Sequence, residues 1–341
     1  MTEKQNIVVI GASAGGIYAL KQLAANLPPD FKAAVFIVQH LSATYPSILP
    51  DILTKAGPLK AVHPSDGEAV ELGKIYIAPP DHHLLIEHQR VLVKRGPKEN
   101  RFRPSIDALF RSAAYCYGPR VIGVVLTGYP DDGTSGLWTV KRLGGTAIVQ
   151  NPEEAMYPDM PNNVLNFVKV DYQVNLSELA PLLCRLTQGN ADRKPILSAR
   201  ESKRIGDEVK IAAEKNAFEM NIHKMGEPTS LTCPECHGTL TEFREDKWVR
   251  YRCYTGHGFT AESLLGEVTK SVEDNLWSTV RVLEEMVMLL EKAGHRFLDT
   301  GQPKEAAKTL QKAHRIRRQA KRIQEFICRS EQERGDYPLI E

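Results

Sequence analysis

Residues Asn6–Leu27 read NIVVIGASAGGIYALKQLAANL and join an apolar run to an amphipathic segment through a glycine-rich turn. The β-branched run Asn6–Ile10 predicts a buried strand, and the apolar positions of Ile17–Leu27 recur with helical spacing. A short apolar strand that turns directly into a helix is the unit from which parallel α/β sheets are built. This segment therefore predicts the first strand and helix of such a sheet.

The same alternation continues to about residue 190. The other predicted strands, with a polar loop between the second and third of them, are Ala33–Val38, Lys74–Ala78, Val91–Val93, Val121–Leu126 and Thr146–Val149. The other predicted helices are Ser47–Thr54, Ser105–Tyr115, Ser135–Leu143 and Leu176–Leu186. The pattern indicates an α/β fold with a doubly wound, mostly parallel sheet that binds ligands at the carboxyl ends of its strands.

Composition excludes several classes of protein. The chain has 341 residues, 42% of them hydrophobic, and Lys+Arg 44 against Asp+Glu 42 leaves a net charge of only +2. We therefore expect two or three domains and no general attraction to nucleic acid. No apolar run approaches the roughly 18 residues of a membrane span, and we expect no signal peptide before the first strand. Six cysteines are too few for a disulfide scaffold, so we expect a cytoplasmic protein without membrane insertion.

Four regions differ in character. Residues 1–190 form the predicted α/β domain, and residues 191–230 read as a polar linker with some helix. A zinc-ribbon-like module is predicted at 231–260, and a helical hairpin at 261–334.

The predicted module contains closely spaced metal-ligating side chains. The pattern C-x₂-C, a gap of 16 residues and C-x₃-H resembles a zinc ribbon. The gap suits a β-hairpin with a charged turn at 245–247. We expect a structural zinc, because so short a segment has little core of its own; the alternative is a set of reduced, unliganded cysteines. The predicted ligands, with His237 as the alternative nitrogen donor, are Cys233, Cys236, Cys253 and His257.

The C-terminal region repeats an apolar residue every three or four positions along 265–290 and again along 307–327. This spacing predicts two helices that form an αα-hairpin. Its apolar seam is either core or a contact with an oligomer or another partner. The basic residues of 312–322 are interpreted as a solvated helix face rather than a nucleic-acid site.

The first turn carries a candidate nucleophile. Gly11–Gly15 match the motif G-x-S-x-G and lie between a predicted strand and a predicted helix. A tight turn at this place lifts the Ser13 hydroxyl above the edge of the sheet, beside the free N–H groups of the helix N-terminus. Such groups could stabilise an oxyanion. The alternative is a dinucleotide site of an oxidoreductase. That site would need G-x-G-x-x-G and an acid after the second strand, whereas this chain has His40 there.

Two other strand ends supply the remaining groups of a Ser-His-Asp relay. His40 follows the second strand and could accept the serine proton. Asp131 and Asp132 follow the strand Val121–Leu126, and either carboxylate could orient the imidazole. The alternatives are a histidine bonded to backbone and aspartates that cap a helix.

Residues 5–186 resemble the catalytic domain of the chemotaxis-receptor methylesterases, the CheB-type protein-glutamate methylesterase/glutamine deamidases. The motifs that carry the resemblance are GASAGG (Gly11–Gly16), VQH (Val38–His40), IAPPDHHLL (Ile77–Leu85), RPSIDALFRSAA (Arg103–Ala114), LTGYPDDGTSGL (Leu126–Leu137) and NPEEAMYPDMP (Asn151–Pro161).

The resemblance implies roles for single residues. It makes Ser13 the nucleophile, His40 the base and Asp132 the orienting acid, with Asp131 as its neighbour. It also implies oxyanion or substrate-binding positions, which are Ala14, Tyr129 and Arg103. Further candidates for substrate contact are His82, His83, Arg101 and Asp107.

The resemblance also implies an activity without a catalytic cofactor. Ser13 would attack the methyl ester of a glutamate on a methyl-accepting chemotaxis receptor or a similar protein, and an acyl-serine would then be hydrolysed. Glutamine deamidation would follow the same path. The chain departs from the family at Ala14, usually Thr, and at Tyr129-Pro130, usually Met-Gly. Another reading is a non-enzymatic signalling adaptor that retains the fold.

The family commonly carries an N-terminal phosphorylatable receiver domain. The serine turn begins at residue 11 of this chain, so we expect no receiver domain before it. We therefore expect no regulation by phosphorylation of the chain itself.

Overall fold

The computed structural model describes residues 6–129, 132–189, 195–215, 217–245 and 248–333. The chain divides into two compact units, one that ends at Ser263 and one that begins at Leu264. The domain limits predicted at 190, 230 and 260 stay predictions.

The elements of the first unit follow one another in a mixed α/β order. Its strands are β1 (Asn6–Ala12), β2 (Ala33–Gln39), β3 (Lys60–Val62), β4 (Lys74–Ile77), β5 (His83–Glu87), β6 (Arg90–Lys94), β7 (Val121–Val125), β8 (Thr146–Gln150), β9 (Tyr172–Val174), β10 (Glu227–Thr232), β11 (Thr239–Glu245), β12 (Trp248–Cys253) and β13 (Gly258–Thr260). Its helices are α1 (Gly16–Asn26), α2 (Leu49–Ala56), α3 (Ile106–Tyr117), α4 (Thr134–Arg142), α5 (Asp159–Phe167), α6 (Leu176–Thr187) and α7 (Ala199–Ala212).

Seven of these strands form one parallel sheet in the order β3-β4-β2-β1-β7-β8-β9. Alternate side chains of β1 point to opposite faces: Ile7 and Val9 pack with α3, α4 and α5, whereas Val8 and Ile10 pack with α1, α2 and α6. Because both faces are covered, every position of the strand interior is apolar. The predicted doubly wound α/β fold is confirmed.

The path of the chain brings three strand ends together. From β1 the chain passes through β2 to the edge strand β3, turns back to form β4 between β2 and β3, and later returns to the other side of β1 as β7. In register, Gly11 of β1 lies beside Val38 of β2 and Val125 of β7. The loops after these strands therefore open at one point, where open α/β sheets bind their ligands.

The predicted strand Val91–Val93 is confirmed as part of β6, but the prediction of a polar loop before it is wrong in part. β6 pairs antiparallel with β5 in a two-stranded sheet separate from the main sheet. The predicted polar loop contains β5, whose Leu84 and Ile86 are buried in the core next to α3. The apolar run Leu84–Ile86 has only three residues and polar residues on both sides. It is too short for periodicity to predict a strand.

The predicted hairpin of the module is β11 paired with β12, and β10 and β13 complete a four-stranded antiparallel sheet. Asp246 and Lys247 of its turn lie outside the described residues. The predicted linker contains α7, whose Ile205 and Ile211 are buried. This stretch therefore includes a packed helix of 14 residues.

Buried charges connect α3, α7 and β12. Arg111 of α3 contacts Glu99 at 2.9 Å and Glu208 of α7 at 3.4 Å. Arg252 of β12 contacts Glu99 at 2.9 Å, and Arg250 contacts Glu208 at 3.1 Å. Burial by itself raises the pKa of Glu99, but the charges of Arg111 and Arg252 outweigh it and lower that pKa to about 2.

The second unit contains α8 (Ala261–Asp299) from Leu264 onward and α9 (Pro303–Glu333), which confirms the predicted hairpin. Val287 of α8 packs on Ala313 and Ile316 of α9, so this part of the apolar seam is core. Val268 and Val272 are exposed instead. No helix within the described ranges is long and apolar enough to span a membrane.

Substituting Glu99→Gln should destabilise the first unit by about 3–5 kcal/mol, because it leaves buried arginines without a full counter-charge. Since the pKa of Glu99 is depressed from 4.5 to about 2, the difference from wild type should hold above about pH 4.5 and disappear as the pH falls through 2. Urea unfolding across this pH range measures it.

Asp30→Asn is the control, because its pair with Lys32 is exposed and long, at 3.8 Å. It should leave the free energy of unfolding unchanged within error. Equal effects of the two substitutions would contradict a stabilising role for the buried network.

Candidate active site

The turn after β1 fixes the Ser13 hydroxyl. Gly15 adopts a left-handed conformation (φ 75°), which lets α1 begin directly after the turn. The Ser13 amide donates to the Thr127 carbonyl at 3.0 Å, and the Gln39 side chain donates to the Ser13 and His40 carbonyls at 2.8 and 3.0 Å. The loops after β1, β2 and β7 therefore hold one another in place.

Ser13, His40 and Asp132 lie in contact in that order. The Ser13 Oγ is 3.3 Å from His40 Nδ1, and His40 Nε2 is 3.0 Å from Asp132 Oδ2. A carboxylate at Nε2 can only accept, so it favours the tautomer whose Nδ1 lone pair faces the serine. This arrangement can take a proton from Ser13 and stabilise the resulting imidazolium.

The acid of this relay is fully buried, and the Asp132 carboxylate accepts several hydrogen bonds at the start of α3. Apart from His40, its donors are the amides of Ile106 (2.5 Å), Asp107 (3.1 Å) and Gly133 (3.0 Å), the Ser105 hydroxyl (3.0 Å) and Asn100 Nδ2 (3.3 Å). The free N–H groups of a helix N-terminus are suited to a negative charge. They stabilise the carboxylate where it can orient the imidazole.

The imidazole is held from a further side by an aromatic ring. Phe102 stacks on His40 with ring centroids 3.6 Å apart and an interplanar angle of 8°. Sequence patterns do not predict a role for Phe102 and Asn100, because both lie in a loop without a periodic pattern. Gln39 belongs to the VQH motif, but nothing in the sequence indicates that it fastens two loops.

Close packing shapes the space beside the nucleophile. A Cβ added to Gly128 would lie 2.6 Å from the Ser13 Cβ, and the Gly128 amide already donates to the Tyr157 carbonyl at 3.0 Å. The amides of Ala14 and Tyr129 have no acceptor among the residues that the structure describes. Ala14 directly follows Ser13, and Tyr129 directly follows Gly128, which lies against the Ser13 side chain, so their role as oxyanion donors stays a prediction.

The other predicted contacts differ in accessibility. Arg103 is mostly buried, at 2.7 Å from Asp81, and also donates to the Gly96 carbonyl at 2.9 Å. The expectation that His83 and Asp107 face a substrate is wrong, because both are buried and already hydrogen-bonded. Pro130 and Asp131 lie outside the described residues.

The ribbon brings its four predicted ligands together. All ligand atoms of Cys233, Cys236, Cys253 and His257 lie within 4.8 Å of one another. The Cys236 and Cys253 sulfurs are 3.6 Å apart, and His257 Nδ1 is 3.5 and 3.8 Å from the Cys253 and Cys233 sulfurs. Tetrahedral zinc with bonds of about 2.0–2.3 Å requires ligand atoms about 3.5–3.8 Å apart, so the side chains fit the ion. His237 is not part of this group.

Comparison with known proteins finds matches to a large part of the first unit. The sequence model of the CheB methylesterase family matches residues 8–183. A protein of Leptospira interrogans serovar copenhageni, provisionally named protein-glutamate methylesterase/protein-glutamine glutaminase, is 39% identical over 55% of this chain and 97% of its own length. A Methanosarcina mazei protein named protein-glutamate methylesterase/protein-glutamine glutaminase 2 is 34% identical over 55% of this chain, which spans about half of that protein (53%).

A solved structure also matches. The crystal structure of the Thermotoga maritima CheB methylesterase catalytic domain is 34% identical and has a TM-score of 0.52, covering 53% of this chain and 98% of that one.

Gly128→Ala should slow the labelling of Ser13 by a fluorophosphonate about tenfold to a hundredfold, because the added methyl group displaces the hydroxyl from His40. Labelling rates by mass spectrometry measure this effect. Gly266→Ala is the control, since nothing lies within 4 Å of its added Cβ. An unchanged rate for Gly128→Ala would show that the close approach does not position the nucleophile.

Proposed function

Because the chain belongs to the CheB methylesterase family, we propose that it is a serine hydrolase that removes methyl esters from glutamates of chemoreceptor-type proteins. The observation that carries this proposal is the contact of Ser13 with His40 and of His40 with Asp132, at 3.3 and 3.0 Å. The half-buried serine and the fully buried acid suit a nucleophile that meets substrate and an acid that does not.

In the first half of the proposed reaction, the Ser13 Oγ attacks the ester carbonyl and its proton passes to His40 Nδ1. Asp132 stabilises the imidazolium through Nε2, while the amides of Ala14 and Tyr129 stabilise the oxyanion. The tetrahedral intermediate collapses as the C–O bond to methoxide breaks. The imidazolium protonates that oxygen, so methanol leaves and an acyl-serine remains.

In the second half, water gives a proton to His40 and adds to the acyl carbon. The bond to the Ser13 Oγ breaks, the serine regains its proton from the imidazolium, and free glutamate is released. A glutamine side chain would follow the same steps with ammonia as the leaving group. No step needs a cofactor.

The surface around Ser13 favours a protein segment as substrate. Tyr129 and Met156 are large and more than half exposed, and Met156 packs beside Gly15 of the serine turn. Exposed apolar side chains grouped at a site are typical of protein contacts. They suit the apolar face of a receptor helix that presents its glutamyl ester to Ser13.

Wild-type protein should release methanol from methyl-esterified receptor fragments, and Ser13→Ala should lower the rate more than about 10³-fold, because the nucleophile is lost. Asp132→Asn should lower it strongly as well, because the amide no longer fixes the imidazole tautomer. Gas chromatography of released methanol measures both rates.

Ser42→Ala is the matched control, because Ser42 is exposed and its hydroxyl bonds to the neighbouring Thr44. Equal rates for the wild type and Ser13→Ala would contradict the hydrolase and favour a signalling adaptor.

We further propose that the four ribbon ligands hold one structural zinc ion, which would cross-link the Cys233–Cys236 turn to the Cys253–His257 turn. Two of its sulfurs, those of Cys233 and Cys253, are fully buried, which favours a closed site over a catalytic one.

Elemental analysis should find about one zinc per chain in the wild type and clearly less in Cys236→Ser, because a structural site needs all four ligands. Cys328→Ser removes an exposed cysteine of α9 and should retain the full metal content. A folded, metal-free wild type in which all six cysteines react with a thiol reagent would contradict the site.

A further inference from the structure

The loop that carries Asn100 is attached to the ribbon. The Gly258 amide of β13 donates to the Lys98 carbonyl at 3.2 Å, and the Asn100 amide donates to the Gly258 carbonyl at 2.8 Å. Asn100 and Arg101 both have positive φ, at 49° and 74°. Such a conformation persists only where neighbouring contacts hold it, and β13 supplies two of them.

Contacts with the last residue of the ribbon and the first turn of α8 set the orientation of the Asn100 side chain, which is buried. Its Oδ1 accepts from the Thr260 amide at 2.9 Å and from the Ser263 hydroxyl at 3.1 Å. A backbone N–H can only donate, so the oxygen must face Thr260 and the NH₂ group must face the other way. In that direction lie two carboxylates: Nδ2 is 2.9 Å from Asp107 Oδ2 and 3.3 Å from Asp132 Oδ1.

We propose that Asn100 is a positioning residue for the reaction: oriented by Thr260 and Ser263, its amide donates to Asp107 and Asp132 and so holds Asp132 against His40. This inference rests on the proposed function. It gives the ribbon a role in catalysis, because the segment that follows the Cys/His cluster determines which way the amide points.

A hydrogen-bond donor is needed between Asp107 and Asp132, because both carboxylates are buried and carry the same charge when ionised. Burial and the charge of Asp132 raise the pKa of Asp107 to about 7, so the two carboxylates repel each other when both are ionised. An NH₂ group has two hydrogens and can serve both oxygens at once. Without it, repulsion would move the Asp132 carboxylate away from the position that aligns His40.

The same loop reaches His40 by a second route. Phe102, two residues after Asn100, stacks on the imidazole, and the Phe102 amide donates back to the Glu99 carbonyl at 2.9 Å. Glu99 in turn is held by Arg252 of β12 at 2.9 Å. Both neighbours of the imidazole, the acid and the aromatic ring, therefore depend on a loop fastened to the ribbon.

The test compares Asn100→Asp and Ser263→Ala with wild type. Asn100→Asp keeps the side-chain shape but replaces the NH₂ donor by a carboxylate oxygen that faces Asp107 and Asp132. We therefore expect kcat to fall about tenfold to a hundredfold, while KM stays within about twofold. Ser263→Ala removes one bond to Oδ1 and leaves Asp107, Asp132 and Ser13 unchanged. It should lower kcat about twofold to tenfold, and it keeps the proposal testable if Asn100→Asp does not fold. Asn275→Asp, on an exposed part of α8, is the matched control and should change neither constant.

A readout independent of the substrate is the ¹⁵N NMR spectrum of the His40 imidazole. Wild type should show a single tautomer protonated at Nε2, and Asn100→Asp should show a mixture. Ser263→Ala keeps the bond from the Thr260 amide and should therefore show a smaller share of the second tautomer. Absence of methanol release by wild type would contradict the proposed function, but the NMR comparison would still test the positioning role. Wild-type kcat with a single tautomer in both variants would overturn the inference.

Discussion

The buried Asp132 carboxylate accepts hydrogen bonds from the first turn of α3, from Asn100 and from His40. An ionised group without water is stable only if most of its lone pairs are satisfied. The loop after β7, the start of α3 and the loop before α3 must therefore all be in place together. The position of the imidazole follows from this requirement, since its Nε2 is one of the donors.

Burial decreases from the acid to the nucleophile, which suits acyl transfer to a large substrate. Asp132 is sealed from solvent, His40 is nearly so, and Ser13 is half-buried under an open, apolar rim. A sealed acid cannot be solvated away from its histidine, whereas an accessible hydroxyl can meet a side chain presented by another protein. The parallel sheet makes this gradient possible, because it places three loops over one crevice without a connection between them in sequence.

The sequence predicted the parts of this site that depend on local pattern. Apolar strands located Ser13, His40 and Asp132 at strand ends, and cysteine spacing located a Cys/His group that the structure brings together. Asn100 could not be found in this way, because it bonds to Asp132 on one side and to Thr260, 160 residues away, on the other. Glu99 likewise meets Arg252 across 153 residues. Such long-range contacts depend on how distant segments pack together, so the periodicity of the sequence does not predict them.

The most direct measurement is a crystal structure of the protein after reaction with a fluorophosphonate. We expect a covalent bond from phosphorus to the Ser13 Oγ, a phosphoryl oxygen at the amides of Ala14 and Tyr129, and an imidazole that still bridges Ser13 and Asp132. A protein that stays unmodified at Ser13, or a His40 ring turned away from both neighbours, would contradict this expectation.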